Sequence, residues 1–262
     1  MKDTCAPRFR NEDLALHWQV DDSRESFQRL LYHLEVRSNF KPYFEEAMSN
    51  LGLGQRRFAG KEIVVADIGA GVGWASALLA RHDKVRLIYA VDASENRLKH
   101  ARSVFKHFGV DGKVRILHGT FSETNVPEKV DLVLLCASLH HCLDSEMPAL
   151  FQGIRRILKP DGEVLIANEH YVDWRWTVKK FISYLWHSCK LEKLYYHPFG
   201  KLRVPHPYDN EHWRTRKELE DIIRKNGFEP AFFVHNGDLC KDKPNVYHRI
   251  GWHYYHAILK AI

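Results

Sequence analysis

A change of rhythm at residue 62 constrains this chain more than any other feature. From there, short apolar runs without polar alternation take turns with helical stretches. The runs are EIVVADIG, RLIYAVDAS, KVRILHGTF, VDLVLLCAS and EVLIANEH. Strands that are apolar on successive residues need cover on both faces, and strands joined through helices run parallel. The helices between them read WASALLARH, ENRLKHARSVFKHFG and SEMPALFQGIRRIL, the last followed by a turn at KPDG. A last helix, TRKELEDIIRKNGF, precedes two more apolar runs, EPAFFVHN and WHYYHAILKA, which complete a seven-stranded sheet. The expected class is α/β: a doubly wound, mostly parallel, Rossmann-like sheet.

Two segments stand outside this rhythm. Residues 1–60 read as an N-terminal helical extension to the domain at 61–262. Phe27, Leu30, Leu31 and Leu34 share one face, and Tyr43, Phe44, Met48 and Leu51 form another after Pro42. Residues 171–213 break the alternation for longer than an ordinary α/β connection. They read as an inserted substrate lid between strand five and the last helix. Tyr171 to Lys217 holds ten Lys/Arg against four Asp/Glu, which accounts for the whole net charge of +6. Trp174, Val178, Phe181, Leu185, Trp186 and Cys189 recur there at helical spacing, with Lys179, Lys180, Ser183 and Lys190 on the other side. Such a helix either packs its stripe on the sheet or meets an anionic membrane or amphiphilic acceptor.

No apolar run approaches the roughly 18–20 residues that span a bilayer. The start, MKDTCAPRFRNED, lacks the apolar core of a signal peptide, so the expected location is cytoplasmic, with peripheral contact at the inner membrane surface as an extension of that reading. The five cysteines (Cys5, Cys136, Cys142, Cys189, Cys240) are odd in number and contain no CxxC pair. They read as reduced thiols rather than a disulfide frame or a zinc cage.

Between the first strand and its helix stands Asp67-Ile68-Gly69-Ala70-Gly71-Val72-Gly73-Trp74. Glycines let the chain turn tightly against a ligand, and the helix start offers free N–H groups. A dinucleotide fingerprint, GxGxxG, requires glycine where Trp74 stands, so a pyrophosphate ligand fits poorly. Asp92 ends the second strand, 19 residues past Gly73, where a carboxylate can accept both hydroxyls of a ribose. The alternative is structural: Asp67 orients the loop and Asp92 caps the following helix.

VVADIGAGVGWAS, YAVDAS, ILHGTF, DLVLLCASLHH and ILKPDGEVLIANEH occur in the order that resembles class I S-adenosylmethionine-dependent methyltransferases. The resemblance implies S-adenosyl-L-methionine as cofactor and S-adenosyl-L-homocysteine as product. It places Asp67, Gly69, Gly71 and Gly73 around the methionine part, with Ala70 and Trp74 also among the cofactor-binding residues. It puts Asp92 on the ribose beside Ala93 and Ser94, and Gly119, Thr120 and Phe121 at the adenine. Cys136 and Ala137 would lie beneath the cofactor. The family often carries an aspartate at the adenine; here Thr120 stands there, so its hydroxyl or the Phe121 ring makes that contact.

Methyl transfer to a hydroxyl needs alignment, exclusion of water and a base. Candidates at the carboxyl ends of strands four and five are His140, His141, Glu169 and His170, with His140 first for the base. A metal held by His140, His141, His170 and Asp144 is disfavoured, since adjacent histidines diverge and no HxxxH spacing occurs; no metal is expected. Either histidine could also simply pack or cap the next helix. The implied activity is O-methylation of a small-molecule, saccharide or lipid-linked acceptor. RNA methylation and a non-catalytic cofactor-binding role stay open. Amino-methylating enzymes of DNA bases carry an Asn/Asp-Pro-Pro-aromatic run where Ala137-Ser138-Leu139-His140 stands, and no duplex-reading module is recognisable, so duplex DNA is not an expected partner.

Overall fold

In the computed structural model the described residues are 15–52, 60–179, 182, 195–196, 202–203, 212–235 and 251–262. Five parallel strands follow the five apolar runs: β1 (Ile63–Ile68), β2 (Val85–Asp92), β3 (Val114–His118), β4 (Val130–Cys136) and β5 (Leu158–Val172). A two-residue pair, β6 (Tyr195–Tyr196) and β7 (Leu202–Arg203), lies in the insert. β8 (Phe228–Val234) and β9 (Trp252–Ala261) close the large sheet, whose order is β3-β2-β1-β4-β5-β9-β8 with β9 antiparallel to both neighbours.

Every residue of β1 is buried, and successive side chains serve opposite layers. Ile63 and Val65 pack into one apolar cluster, while Val64, Ala66 and Ile68 pack into the other. That double burial is why the strand shows no polar alternation. The first layer holds α1 (Arg24–Leu31), α2 (Phe40–Leu51), α3 (Trp74–Ala80) and α4 (Glu95–Phe108); the second holds α5 (Met147–Ile157) and α6 (Arg216–Lys225). A capping box between Thr215 and Glu218 starts α6, as its TRKE sequence encodes.

The N-terminal helices do not form a separate unit. Leu30, Leu34, Phe44 and Leu51 lie in the same cluster as β1 and α3. Between α1 and α2 the chain forms a π-helical stretch, Tyr32–Arg37, and breaks at Asn39 with φ 55°. Pro42 then falls in the first turn of α2, where a missing N–H removes no helical bond. A chain of polar contacts ties α2 to β8 and β9. Glu46 Oε2 lies 2.7 Å from His235 Nδ1, His235 Nε2 lies 3.3 Å from His256 Nδ1, and His256 Nε2 lies 3.0 Å from Asn50 Nδ2.

The expected turn at KPDG is instead part of β5. Its register passes from Val130↔Leu158 to Leu132↔Glu163, so Lys159–Gly162 bulge out of an otherwise continuous ladder. In the insert, Trp174, Val178 and Ile182 are exposed and Trp176 is buried, so the described part of the stripe does not pack on the sheet. Phe181, Leu185, Trp186, Cys189, Lys180, Ser183 and Lys190 lie outside the described residues, as do Cys5 and Cys240. Cys136 and Cys142 are free thiols. Among the described residues no helix is long and apolar enough to cross a membrane.

Candidate active site

β1 delivers its last residues to the tip of the sheet, where the chain must reverse into α3. Asp67 is fully buried and its Oδ2 accepts from the Ser76 hydroxyl at 2.6 Å. Burial pushes its carboxyl up to about 7 against that hydrogen bond, with the Asp92 charge adding to the rise. Gly69 takes φ +76°, and a Cβ there would stand 2.6 Å from Ser138 Cβ, so only glycine fits. The Gly69 and Ala70 N–H groups donate to the Val91 carbonyl at 2.8 and 2.9 Å. Asp92 joins both ends of the site: Oδ2 accepts from Gly71 N–H at 2.7 Å and Oδ1 from Ser94 N–H at 2.8 Å.

An open cleft lies over these tips. Its walls are Ile68, Gly69, Asp92, Ala93, Ser94 and Arg97, then Gly119, Thr120 and Phe121, then Ala137, Ser138, His141 and Glu146. Gly69, Asp92, Ala93, Ser94, Gly119, Thr120, Phe121 and Ala137 are therefore brought together along one cleft. Asp67, Ala70, Gly71, Gly73, Trp74 and Cys136 are not on the walls. Asp67, Ala70 and Gly71 shape the turn through the bonds described above. Gly73, with φ +77°, lets α4 approach, since a Cβ there would meet Phe105 Cζ at 2.3 Å. The Trp74 indole points into the core, donating to Glu35 Oε1 at 3.2 Å and packing on Phe44, so its side chain is not a cofactor contact. Burial pushes the Cys136 thiol well up, with the Asp67 and Glu169 charges adding.

Sequence reasoning missed Ile68, Arg97, Ser138 and Glu146. Arg97 was findable, because it lies one helical turn after Ser94, which caps α4 by accepting from Arg97 N–H. Ser138 donates to the Ile68 carbonyl at 3.0 Å, a bond between residues 70 apart that no local pattern announces.

At the other end of the cleft, the pairing of β4 with β5 ends with Cys136 opposite Ala167. The next residue on each strand is left-handed: Ala137 at φ 49° and Asn168 at φ 52°. Strain at two neighbouring non-glycine residues marks an over-determined site. Beyond it, a short 3-10 turn, Leu139–His141, presents the two histidines. Glu169, 1% exposed, reaches across from β5. Its Oε1 accepts from Leu139 N–H at 2.6 Å and its Oε2 lies 2.9 Å from His140 Nδ1. The His141 ring sits 4.0 Å from that of His140 and lines the cleft. His170 stacks on Trp252 at 3.9 Å, within 4.9 Å of the His140 ring. The four candidate catalytic residues are thus brought together.

The weighed metal set is not. Asp144 pairs with Arg214 at 2.8 Å instead of joining the histidines. Ligand-capable atoms of His140, Glu169 and His170 do lie within 4.8 Å of one another, as do those of Glu46, His235 and His256. Both Glu169 oxygens already engage protein donors, which suits an orienting carboxylate.

The strand order, the glycine turn tied to Asp92 and the polar pair beyond β4 coincide with a methyltransferase domain family that matches residues 65–162. Over those residues the chain is similar to methyltransferase domains. The domain is 34% identical over 106 residues to a probable protein arginine N-methyltransferase 6.1 of Oryza sativa subsp. indica, covering 40% of this chain and 27% of that protein. It is 30% identical over 150 residues to protein arginine N-methyltransferase 2 of Xenopus tropicalis, covering 55% and 33%. The chain thus spans about a third or less of the length of these relatives. Among solved structures, a magnesium protoporphyrin IX methyltransferase from Synechocystis with bound S-adenosylhomocysteine matches with TM-score 0.59 at 14% identity, covering 98% of this chain and 96% of that one. An S-adenosylmethionine-dependent methyltransferase from Clostridium acetobutylicum matches with TM-score 0.59 at 14% identity, covering 91% and 99%. These likenesses show the fold.

The cofactor of such a methyltransferase domain is S-adenosylmethionine, and the residues present fit it. The Asp92 carboxylate would accept from the ribose hydroxyls. The Gly69 turn would leave no side chain over the methionine end. Thr120 and Phe121 would border the adenine, although the Thr120 hydroxyl also accepts from Glu123 N–H at 3.1 Å.

Proposed function

We propose that this chain is an S-adenosylmethionine-dependent methyltransferase that O-methylates a small-molecule, saccharide or lipid-linked acceptor, with His140 as general base. The His140–Glu169 pair carries this reading. A buried carboxylate accepts but does not donate, so it selects the imidazole tautomer with hydrogen on Nδ1. In that tautomer Nε2 is the basic nitrogen of the ring. An unactivated hydroxyl needs such a base, whereas a thiolate does not.

S-adenosylmethionine, when bound, supplies the methyl group as a sulfonium electrophile. His140 Nε2 takes the acceptor hydroxyl's proton, and Glu169 stabilises the resulting imidazolium. His141 flanks the base, and the His170–Trp252 stack walls it from the side. The exposed Trp174, Val178 and Ile182 on the insert support a lipid-linked acceptor met at a membrane surface.

Protein arginine methylation is the second reading, favoured by the similarity over residues of the cofactor half. A guanidinium acceptor is held by carboxylate oxygens, and each of those on Glu169 already meets one protein group, which leaves less of that carboxylate for a guanidinium. Calorimetry with S-adenosylhomocysteine and with NAD tests the cofactor; binding of NAD alone sinks the proposal. Labelled methyl transfer into a lysate, fractionated into lipid, glycan, RNA and protein, tests the acceptor. Label confined to protein or RNA overturns the small-acceptor reading, and cofactor binding without label leaves a non-catalytic binding protein.

A further inference from the structure

The proposed base is gripped from a second side by a residue that no motif marks. Arg214 lies one residue beyond the 171–213 insert and is 3% exposed. Its Nε donates to Asp144 Oδ1 at 2.8 Å, its Nη1 to the Leu139 carbonyl at 3.4 Å, and its Nη2 to the Cys142 carbonyl. The Leu139 residue is therefore pinned at both of its backbone polar groups, its N–H by Glu169 and its carbonyl by Arg214. Two backbone bonds extend the grip. His212 N–H donates to the His140 carbonyl at 2.9 Å, and the Arg214 carbonyl accepts from Val172 N–H at 2.9 Å.

The segment 212–214 thus straps the last residue of β5 to the turn that carries His140 and His141. Only a guanidinium has the fork of donors to meet two carbonyls and a carboxylate at once; an ammonium is a point charge. A buried cation is also an expensive way to gain stability alone, because its desolvation offsets much of the attraction to Asp144. The spending of so many donors on one four-residue turn points to geometry.

We infer that Arg214 is a positioning residue for methyl transfer, locking the Leu139–Cys142 turn to the end of β5 so that His140 keeps its working orientation. The inference rests on His140 acting as proposed above. The full chain is compared as wild type, Arg214→Met and Arg214→Lys in three measurements. These are calorimetry with S-adenosylhomocysteine, labelled transfer into the lysate fraction that the wild type labels, and long-range proton–nitrogen NMR of the imidazoles.

Arg214 does not line the cleft, so Arg214→Met should keep cofactor affinity within about threefold while transfer falls about 100-fold, the scale of a misplacement near 1 Å. The His140 nitrogens should change from a single Nδ1–H tautomer to a mixture. Arg214→Lys should recover part of both. Should Arg214→Met not fold, Arg214→Lys carries the test with an expected fall of about tenfold at unchanged cofactor affinity. A folded Arg214→Met, or failing that Arg214→Lys, that transfers at the wild-type rate with its His140 tautomer unchanged overturns the inference, even if thermal stability drops. Absent transfer in the wild type, or normal transfer in Glu169→Gln, overturns the proposed function instead.

Discussion

Glu169→Gln is the sharpest perturbation of the site, because it keeps volume and removes one acceptor. In the native protein both oxygens of this buried side chain accept: Oε1 from Leu139 N–H at 2.6 Å and Oε2 from the Nδ1 side of His140 at 2.9 Å. Glutamine has one carbonyl oxygen and one NH2. The shorter bond to the backbone amide should claim the oxygen, leaving the NH2 facing Nδ1. A donor facing Nδ1 forces the imidazole proton onto Nε2, and the lone pair needed for the acceptor hydroxyl is lost. A positioned base contributes roughly 10²–10⁴ in rate, which is about 2.7–5.5 kcal/mol of barrier. Glu169 does not line the cofactor cleft, so affinity for S-adenosylhomocysteine should change less than about threefold, well under 1 kcal/mol. The assay pairs calorimetry with labelled transfer at saturating cofactor. A variant that transfers within threefold of wild type would show that the tautomer set by Glu169 is irrelevant to turnover, and the reasoning fails.

Asp92→Ala removes a carboxylate that holds two backbone amides and faces the ribose position; calorimetry should show S-adenosylhomocysteine affinity falling about 100-fold, two charged hydrogen bonds being lost. Unchanged affinity would remove Asp92 from the cofactor site. Gly73→Ala forces a side chain onto φ +77° and into Phe105, so urea unfolding should report a loss of about 2–4 kcal/mol. Asp67 has its folded pKa raised from 3.8 to about 7, so the folded protein holds a proton that the unfolded chain releases. Its stabilising effect is complete below about pH 4 and is lost as pH rises through about 7, a span of roughly 4 kcal/mol at most. Asp67→Asn should flatten that part of the stability–pH curve in denaturation between pH 4 and 7; an equal slope in both proteins refutes the assignment.

The five parallel strands were legible because each is buried on both faces and so writes a run of apolar residues into the chain. The glycine turn and Asp92 were legible because a ligand-binding turn constrains neighbours in sequence. The KPDG bulge was not, since a proline, an aspartate and a glycine read locally as a turn, and only pairing with β4 holds them in a strand. Trp74 was misplaced for a related reason. Its position beside the glycines is local, but where its ring goes depends on Glu35 and Phe44, which belong to two helical stretches some 30–40 residues earlier.

By itself the sequence determined the α/β class, the seven strands and the location of the cofactor turn, all of which follow from burial patterns and backbone freedom within a few residues. It also brought His140, His141, Glu169 and His170 forward as candidates. Only the tertiary structure brought them together. The parallel register that sets Cys136 against Ala167 brings Glu169 to the His140 ring across 29 residues of chain, and the fold brings Arg214 onto Leu139 across 75. Hydrogen bonds of that kind act over about 3 Å of space and leave no periodicity in the chain, so their partners appear only when the sheet is assembled.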